Sequence, residues 1–169
     1  MITGGTGMVG KLLTNTLLKA GHRVIILTRS PKQQTPWHPK LQYAHWDLRQ
    51  ELVDAAALAE ADAIVHLAGA GVVAKPWTAA YKQEIVNSRV KSGALLVKLL
   101  QTMPNKVNTV VSASAIGYYG ADSGGQAFVE TDVPDEGFLG HTCEQWEAAI
   151  EPVATMGKRL VIARIGIVL

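Results

Sequence analysis

The chain has 169 residues, 48% of them hydrophobic and 18% charged, which is enough apolar material for one domain and excludes disorder of the whole chain. Sixteen Lys and Arg stand against fourteen Asp and Glu, a balance that argues against nucleic acid or an anionic membrane as partner. A lone Cys143 excludes disulfides, five scattered histidines predict no metal site, and no apolar run is long enough to span a membrane, so a cytoplasmic domain is expected.

Met1–Thr3 reads as a strand stub that runs straight into Gly4-Gly5, leaving no room for a signal peptide. Met8–Ala20 carries Val9, Leu12, Leu13, Leu17 and Ala20 at helical spacing, and Gly21 follows as a stop. Arg23–Thr28 is a continuous apolar run, the mark of a strand buried on both faces. Three prolines make 30–40 a loop. Leu41–Trp46 reads as a weaker strand, Glu51–Ala61 as an alanine-rich helix, and Ala63–Leu67 as a strand again. Thr78 can cap a helix running to about Leu100, with Tyr81, Ile85, Leu95, Leu96 and Leu99 inward. Val107–Ala113 is the next strand and 120–137 a polar loop. Leu139–Met156 is a helix that Pro152 should kink or break, and Arg159–Ile165 is the sixth strand. Strands alternating with helices predict the α/β class and a doubly wound parallel sheet, because parallel crossovers need an intervening helix. Residues 1–169 are expected to form one dinucleotide-binding domain. The three-residue first strand, and a last strand with nothing beyond Leu169, suggest a fragment.

Gly5, Gly7 and Gly10 match G-x-G-x-x-G between the first strand and the first helix. In that context one glycine makes the tight turn and another lets the backbone approach a pyrophosphate. Gly10 allows close helix–sheet packing, and the helix N-terminus faces the phosphates. Gly5–Lys11 also satisfies G-x-x-x-x-G-K, but Leu12 follows where a nucleotide-triphosphate loop needs a hydroxyl for Mg²⁺, so Lys11 reads as a solvated residue. At the end of the second strand, Thr28-Arg29-Ser30 stands where NAD sites place a carboxylate for the ribose hydroxyl. An arginine there can clamp a 2′-phosphate through two hydrogen bonds, which selects NADP as the expected cofactor.

These residues and five later segments resemble a known family. The turn Thr3-Gly4-x-x-Gly7-x-x-Gly10 and the segment His66-Leu67-Ala68-Gly69 are similar to those of extended short-chain dehydrogenases/reductases. Further matches are Lys75-Pro76-Trp77-Thr78, Asn87-Ser88-Arg89-Val90, Ser112–Gly120, Trp146-Glu147 and Arg164–Leu169. Together they resemble an atypical subgroup of the NAD(P)-dependent epimerase/dehydratase superfamily, the nucleoside-diphosphate-sugar epimerase-like "epimerase family" proteins. The resemblance implies a Rossmann fold acting on a nucleotide sugar or related small molecule, with a C-terminal substrate domain that this chain would lack. It also implies a pyrophosphate turn of Gly4, Gly7 and Gly10, a 2′-phosphate site of Thr28 and Arg29, and cofactor contacts from Leu67, Ala68, Glu84, Arg89 and Val168. A homo-oligomer is left open.

Active extended members use a Tyr-x-x-x-Lys pair, which moves a proton while hydride passes to or from nicotinamide. The Trp146-Glu147 register puts Leu139 at the tyrosine position and Cys143 at the lysine position, and no tyrosine follows Tyr119. The usual hydroxyl is displaced too, with Ala115 in its place and Ser114 one residue earlier. Three readings stay open: an altered mechanism using Ser114 and Tyr119, a proton donor supplied from elsewhere in a longer protein, or NADP(H) binding without turnover in a regulatory or redox-sensing module.

Overall fold

Seven strands and four helices build the domain in the computed structural model, which describes residues 1–121, 125 and 127–168. The strands are β1 (Ile2–Thr3), β2 (Val24–Thr28), β3 (Leu41–Asp47), β4 (Leu52–Val53), β5 (Ala63–His66), β6 (Thr109–Ala115) and β7 (Arg159–Ile165). The helices are α1 (Met8–Lys19), α2 (Ala55–Glu60), α3 (Ala79–Thr102) and α4 (Phe138–Ile150). The sheet order is β4-β3-β2-β1-β5-β6-β7, with every pair parallel except β3–β4. The order reverses at β1, from which the chain first winds outward through β2 and β3 and then back through β5, β6 and β7. Because such crossovers are right-handed, α1 covers one face while α3 and α4 cover the other.

Ile2, Leu18, Val24, Ile26 and Leu41 form the core under α1. A larger core on the opposite face joins Ile25, Leu27, Trp46, Leu58, Ile64, Leu96, Leu99, Val110 and Ile150. The central strands are buried on both faces, as the unbroken Val24–Leu27 run predicts. Thr78 caps α3 by accepting from the Tyr81 N–H at 3.2 Å, and all five inward positions expected on that helix are buried. The α4 helix ends at Ile150, and Pro152 opens a 3-10 turn over Glu151–Met156. Part of the 120–137 loop and the final Leu169 lie outside the described residues.

Two expectations need correction. The helix expected over Glu51–Ala61 begins only at Ala55, and Leu52–Val53 is instead a short antiparallel edge strand, so the sheet is mixed and has seven strands rather than six. Turn chemistry decides this. The Asp47 carboxylate accepts from the Arg49 and Gln50 N–H groups at 2.7 and 3.2 Å, folding Leu52 back onto Asp47. Asp54 then accepts from the Ala57 N–H at 3.1 Å and starts the helix. The expected apolar face of α1 is only partly inward: Leu13 and Leu17 pack against the core and Val9 is half-buried, but Leu12 and Ala20 are exposed. Gly10, Thr14 and Leu18 are buried at four-residue spacing, whereas Leu12 is 70% exposed. The small residues face inward because Gly10 is the point of closest approach to the turn.

Candidate functional site

The reversal at β1 leaves a crevice between the carboxyl ends of β1 and β5, the place where open α/β sheets bind ligands. The glycine turn closes one side of it. Gly4 has φ +69°, and a Cβ there would lie 2.7 Å from the Leu67 carbonyl group, so only glycine lets the turn lie against the end of β5. A Cβ on Gly10 would lie 2.6 Å from Gly5 Cα. The tightest packing of Gly10 is thus against the turn itself, while Gly5 packs on Ile26 of β2. Gly7 is exposed and extended, and an added Cβ there would meet nothing nearer than the Gly4 carbonyl oxygen at 3.3 Å. It is the N-cap of α1 and offers no side chain, and the first intrahelical donor is Lys11 N–H to Gly7 O. The N–H groups of the preceding turn therefore remain free for an anion approaching over Gly7.

A buried chain of hydrogen bonds fixes the floor of the crevice. Thr3 Oγ1 accepts from the Leu67 and Ala68 N–H groups at 3.2 and 3.3 Å, which fills both its lone pairs. Its proton therefore goes to His66 Nδ1 at 2.7 Å, leaving Nε2–H to donate to Ser92 Oγ at 3.1 Å. The Ser92 hydroxyl in turn donates to the Arg89 carbonyl at 3.0 Å. Every member is neutral and satisfied, and the chain ties β1, β5 and α3 together. Burial lowers the His66 pKa to about 4.

This predicts an acid-labile fold. Below the ordinary histidine value of 6.5, the unfolded chain takes up a proton that folded His66 refuses until about pH 4. The stability conferred by neutral His66 is complete above pH 6.5 and drains away as pH falls toward 4. Urea unfolding should show a loss of about 2 kcal/mol between pH 7 and pH 5 that His66→Asn removes. Equal pH slopes for the two proteins would contradict the buried neutral imidazole.

Around this floor the expected site residues fall into distinct places. Thr28 ends β2 half-buried, and Arg29 follows it, exposed. Leu67 and Ala68 stand half-buried at the end of β5, under the Thr3 hydroxyl. Arg89 is 8% exposed, donates to the carbonyls of Ala70 and Ile85 at 3.0 Å each, and lies over the Trp146 ring at 4.8 Å. No carboxylate pairs with it among the described residues, and burial lowers its pKa. Glu84 points elsewhere, to Lys75 at 3.3 Å on the surface, so the two residues do not form a pair on α3. Val168 lies beyond β7, about half exposed. Leu139 packs beside Gly117, and Cys143 is buried, its thiol pKa raised by burial.

Ser114 is 2% exposed and belongs to a second cluster that sequence reading left unassembled. Its hydroxyl donates to Glu147 Oε1 at 2.5 Å. Arg164 grips the same carboxylate with Nε and Nη2, both at 2.9 Å, and donates from Nη1 to Tyr119 Oη at 2.7 Å and to the Glu130 carbonyl at 3.1 Å. Its guanidinium also lies 3.5 Å from the centre of the Tyr118 ring. Its members all fall within family-like segments of the sequence, Ser112–Gly120, Trp146-Glu147 and Arg164–Leu169, and Ser114 and Tyr119 stand out there as a candidate pair, but nothing in the sequence joins them to Glu147 and Arg164.

Fold and turn together define a dinucleotide-binding, doubly wound α/β domain. Residues 1–145 match the model of the NAD dependent epimerase/dehydratase family, and the chain belongs to that family. Among curated relatives, an epimerase family protein of Staphylococcus saprophyticus is 36% identical over the whole of this chain and 55% of its own length. The Bacillus subtilis epimerase family protein YfhF is 33% identical over 99% of this chain and 54% of its own length. The chain thus spans about half the length of the curated relatives it matches. Among solved structures, human epimerase family protein SDR39U1 with NADPH superposes with a TM-score of 0.77 at 27% identity, covering 99% of this chain and 53% of that one. The nucleoside-diphosphate sugar epimerase of Corynebacterium glutamicum gives 0.73 at 34% identity, over 96% of this chain and 32% of that one. No described helix is long and apolar enough to cross a membrane.

Proposed function

We propose that the chain is the NADP(H)-binding domain of an atypical epimerase- or dehydrogenase-like oxidoreductase acting on a nucleotide sugar or related small molecule. The observation that carries this reading is the Gly4–Gly10 turn, which opens the uncapped end of α1 onto the crevice where the strand order reverses. Gly7 leaves room for a pyrophosphate, and the free N–H groups of the first turn of α1 receive it. Leu67 and Ala68 border the cofactor at β5. Arg89, nearly buried without a carboxylate, biases that side toward an anion, and by family resemblance Glu84 and Val168 complete the contacts. Bound NADP would supply the hydride chemistry, and this chain binds and orients it.

NADP rather than NAD is favoured by Arg29 at the end of β2, with no carboxylate to receive a ribose hydroxyl. The NADPH held by the human relative supports the same choice. A charge-assisted hydrogen bond to the 2′-phosphate should make NADPH bind roughly ten- to a hundredfold tighter than NADH. Calorimetric titration measures both affinities, and Arg29→Asp should weaken NADPH while sparing NADH. Equal affinities in the wild-type protein would overturn the assignment.

A non-catalytic NADP(H)-binding regulator is the second reading. It is favoured by Leu139 and Cys143 on α4, a half-buried hydrocarbon and a buried thiol with a raised pKa where active relatives would place a proton-moving pair.

A further inference from the structure

Lys11 follows the glycine turn, and Leu12 after it excludes a triphosphate loop. The folded chain gives Lys11 a different setting. A groove of about 370 Å³ runs along the flank of α1, lined by Lys11, Thr6, Thr28, Gln34, Trp37 and Tyr43 among others. Lys11 therefore shares a cavity with the glycine turn through Thr6 and with the end of β2 through Thr28. The wall offers an ammonium, hydroxyls, an amide and aromatic rings, and no carboxylate.

Charge along the chain points the same way. No Asp or Glu precedes Asp47, while the same stretch holds Lys11, Lys19, Arg23, Arg29, Lys32 and Lys40. The remaining residues carry ten basic and fourteen acidic side chains, so the near-neutral total hides a basic N-terminal unit and an acidic remainder. Within that unit Arg23 is paired with Glu60, and Lys40 donates to the Gly21 carbonyl at 2.9 Å. Lys11, Arg29 and Lys32 have no carboxylate partner among the described residues; Lys11 shares the groove with Thr28 at the end of β2, Arg29 follows Thr28 directly, and Lys32 lies in the short turn after it. Three uncompensated cations around one strand end suit a compact dianion better than a ribose hydroxyl.

We propose that Lys11 is a specificity-determining residue that acts with Arg29 on the phosphate monoester of the adenosine ribose, the groove beside α1 receiving that group. The inference rests on the NADP reading and adds to it a residue that neither the glycine fingerprint nor the strand-end arginine contains. Lys11 lines the same groove as Thr28, the residue before Arg29, and that shared wall assigns its ammonium to the ribose end of the cofactor.

The test is calorimetric titration of NADPH, NADH and adenosine 2′,5′-bisphosphate with the wild-type chain and Lys11→Gln, at low and moderate salt. Lys11 is exposed, so the variant should fold, and circular dichroism checks that it does. Lys11→Gln should weaken NADPH and the bisphosphate about tenfold, leave NADH within about twofold, and flatten the salt dependence of NADPH binding. Equal weakening of NADPH and NADH would place Lys11 on the pyrophosphate and overturn the inference. So would unchanged NADPH affinity in Lys11→Gln when the wild-type protein prefers NADPH, with the NADP reading left standing. A wild-type chain that binds neither dinucleotide, or both equally, would overturn the NADP reading first and this inference with it.

Discussion

Gly10→Val should unfold or severely destabilise the domain, whereas Gly7→Val should leave it folded and unable to bind NADPH. The two glycines lie three residues apart in one turn, yet their surroundings are opposite. Any Cβ on Gly10 meets Gly5 Cα at 2.6 Å and presses on the Gly4 carbonyl oxygen, and both are backbone atoms of a turn already pinned to β5. Nothing there can swing aside as a flexible side chain would. The expected cost is about 3 kcal/mol or more, the upper end of what core overpacking costs, because the clash is with backbone. Gly7 has an extended conformation open to any residue, and its added Cβ meets one oxygen at 3.3 Å. Val at that position should cost about 1 kcal/mol, through poorer capping of α1 and one close contact with a backbone oxygen, while filling the space a pyrophosphate would use. Urea unfolding and NADPH titration on both variants separate the roles. Normal NADPH binding by Gly7→Val would reduce the motif to a turn. A wild-type midpoint for Gly10→Val would refute the packing.

Removing Glu147 should be nearly as damaging as changing Gly10. The carboxylate receives two bonds from Arg164 and one from Ser114, and the side chains of the ion pair are only 14% and 16% exposed. Glu147→Ala leaves a guanidinium facing Ser114 and two tyrosine rings with its charge uncompensated, and pairs broken in this way typically cost about 3–5 kcal/mol. Residual solvent contact places the expected loss near the lower end, about 3 kcal/mol. A hydrophobic replacement of both partners, Glu147→Leu with Arg164→Met, should recover much of that loss, because it removes the stranded charge along with the bond. Chemical denaturation of the single and double variants gives the coupling directly. If the double variant loses as much as the two singles together, the pair is not coupled. The cluster joins α4 to β6 and β7, so Glu147→Ala should also loosen the Tyr118–Tyr119 segment that Arg164 holds.

Features that depend on neighbours along the chain are legible before any folding is considered. The Val24–Leu27 run, the Thr78 cap, the stop at Pro152 and the strand–turn–helix placing of the glycines all follow from local sterics, capping or periodicity, and each is found where those rules put it. Local rules also had the information for Leu52–Val53, since Asp47 and Asp54 are turn and cap residues, but the alanine-rich run that follows obscured it. Other features exist only where folding brings distant residues together. Thr3, His66 and Ser92 are far apart in sequence and become one buried hydrogen-bonded chain only because β5 pairs with β1 and α3 packs behind them. Glu147 and Arg164 stand on different elements, and nothing in either segment alone shows that Ser114 and Tyr119 complete the cluster. The inward face of α1 was likewise set from outside the helix. Hydrophobic spacing favours Leu12, but the close approach of Gly10 to the turn rotates Leu12 into solvent, because backbone contact at a glycine is stricter than the burial of one leucine.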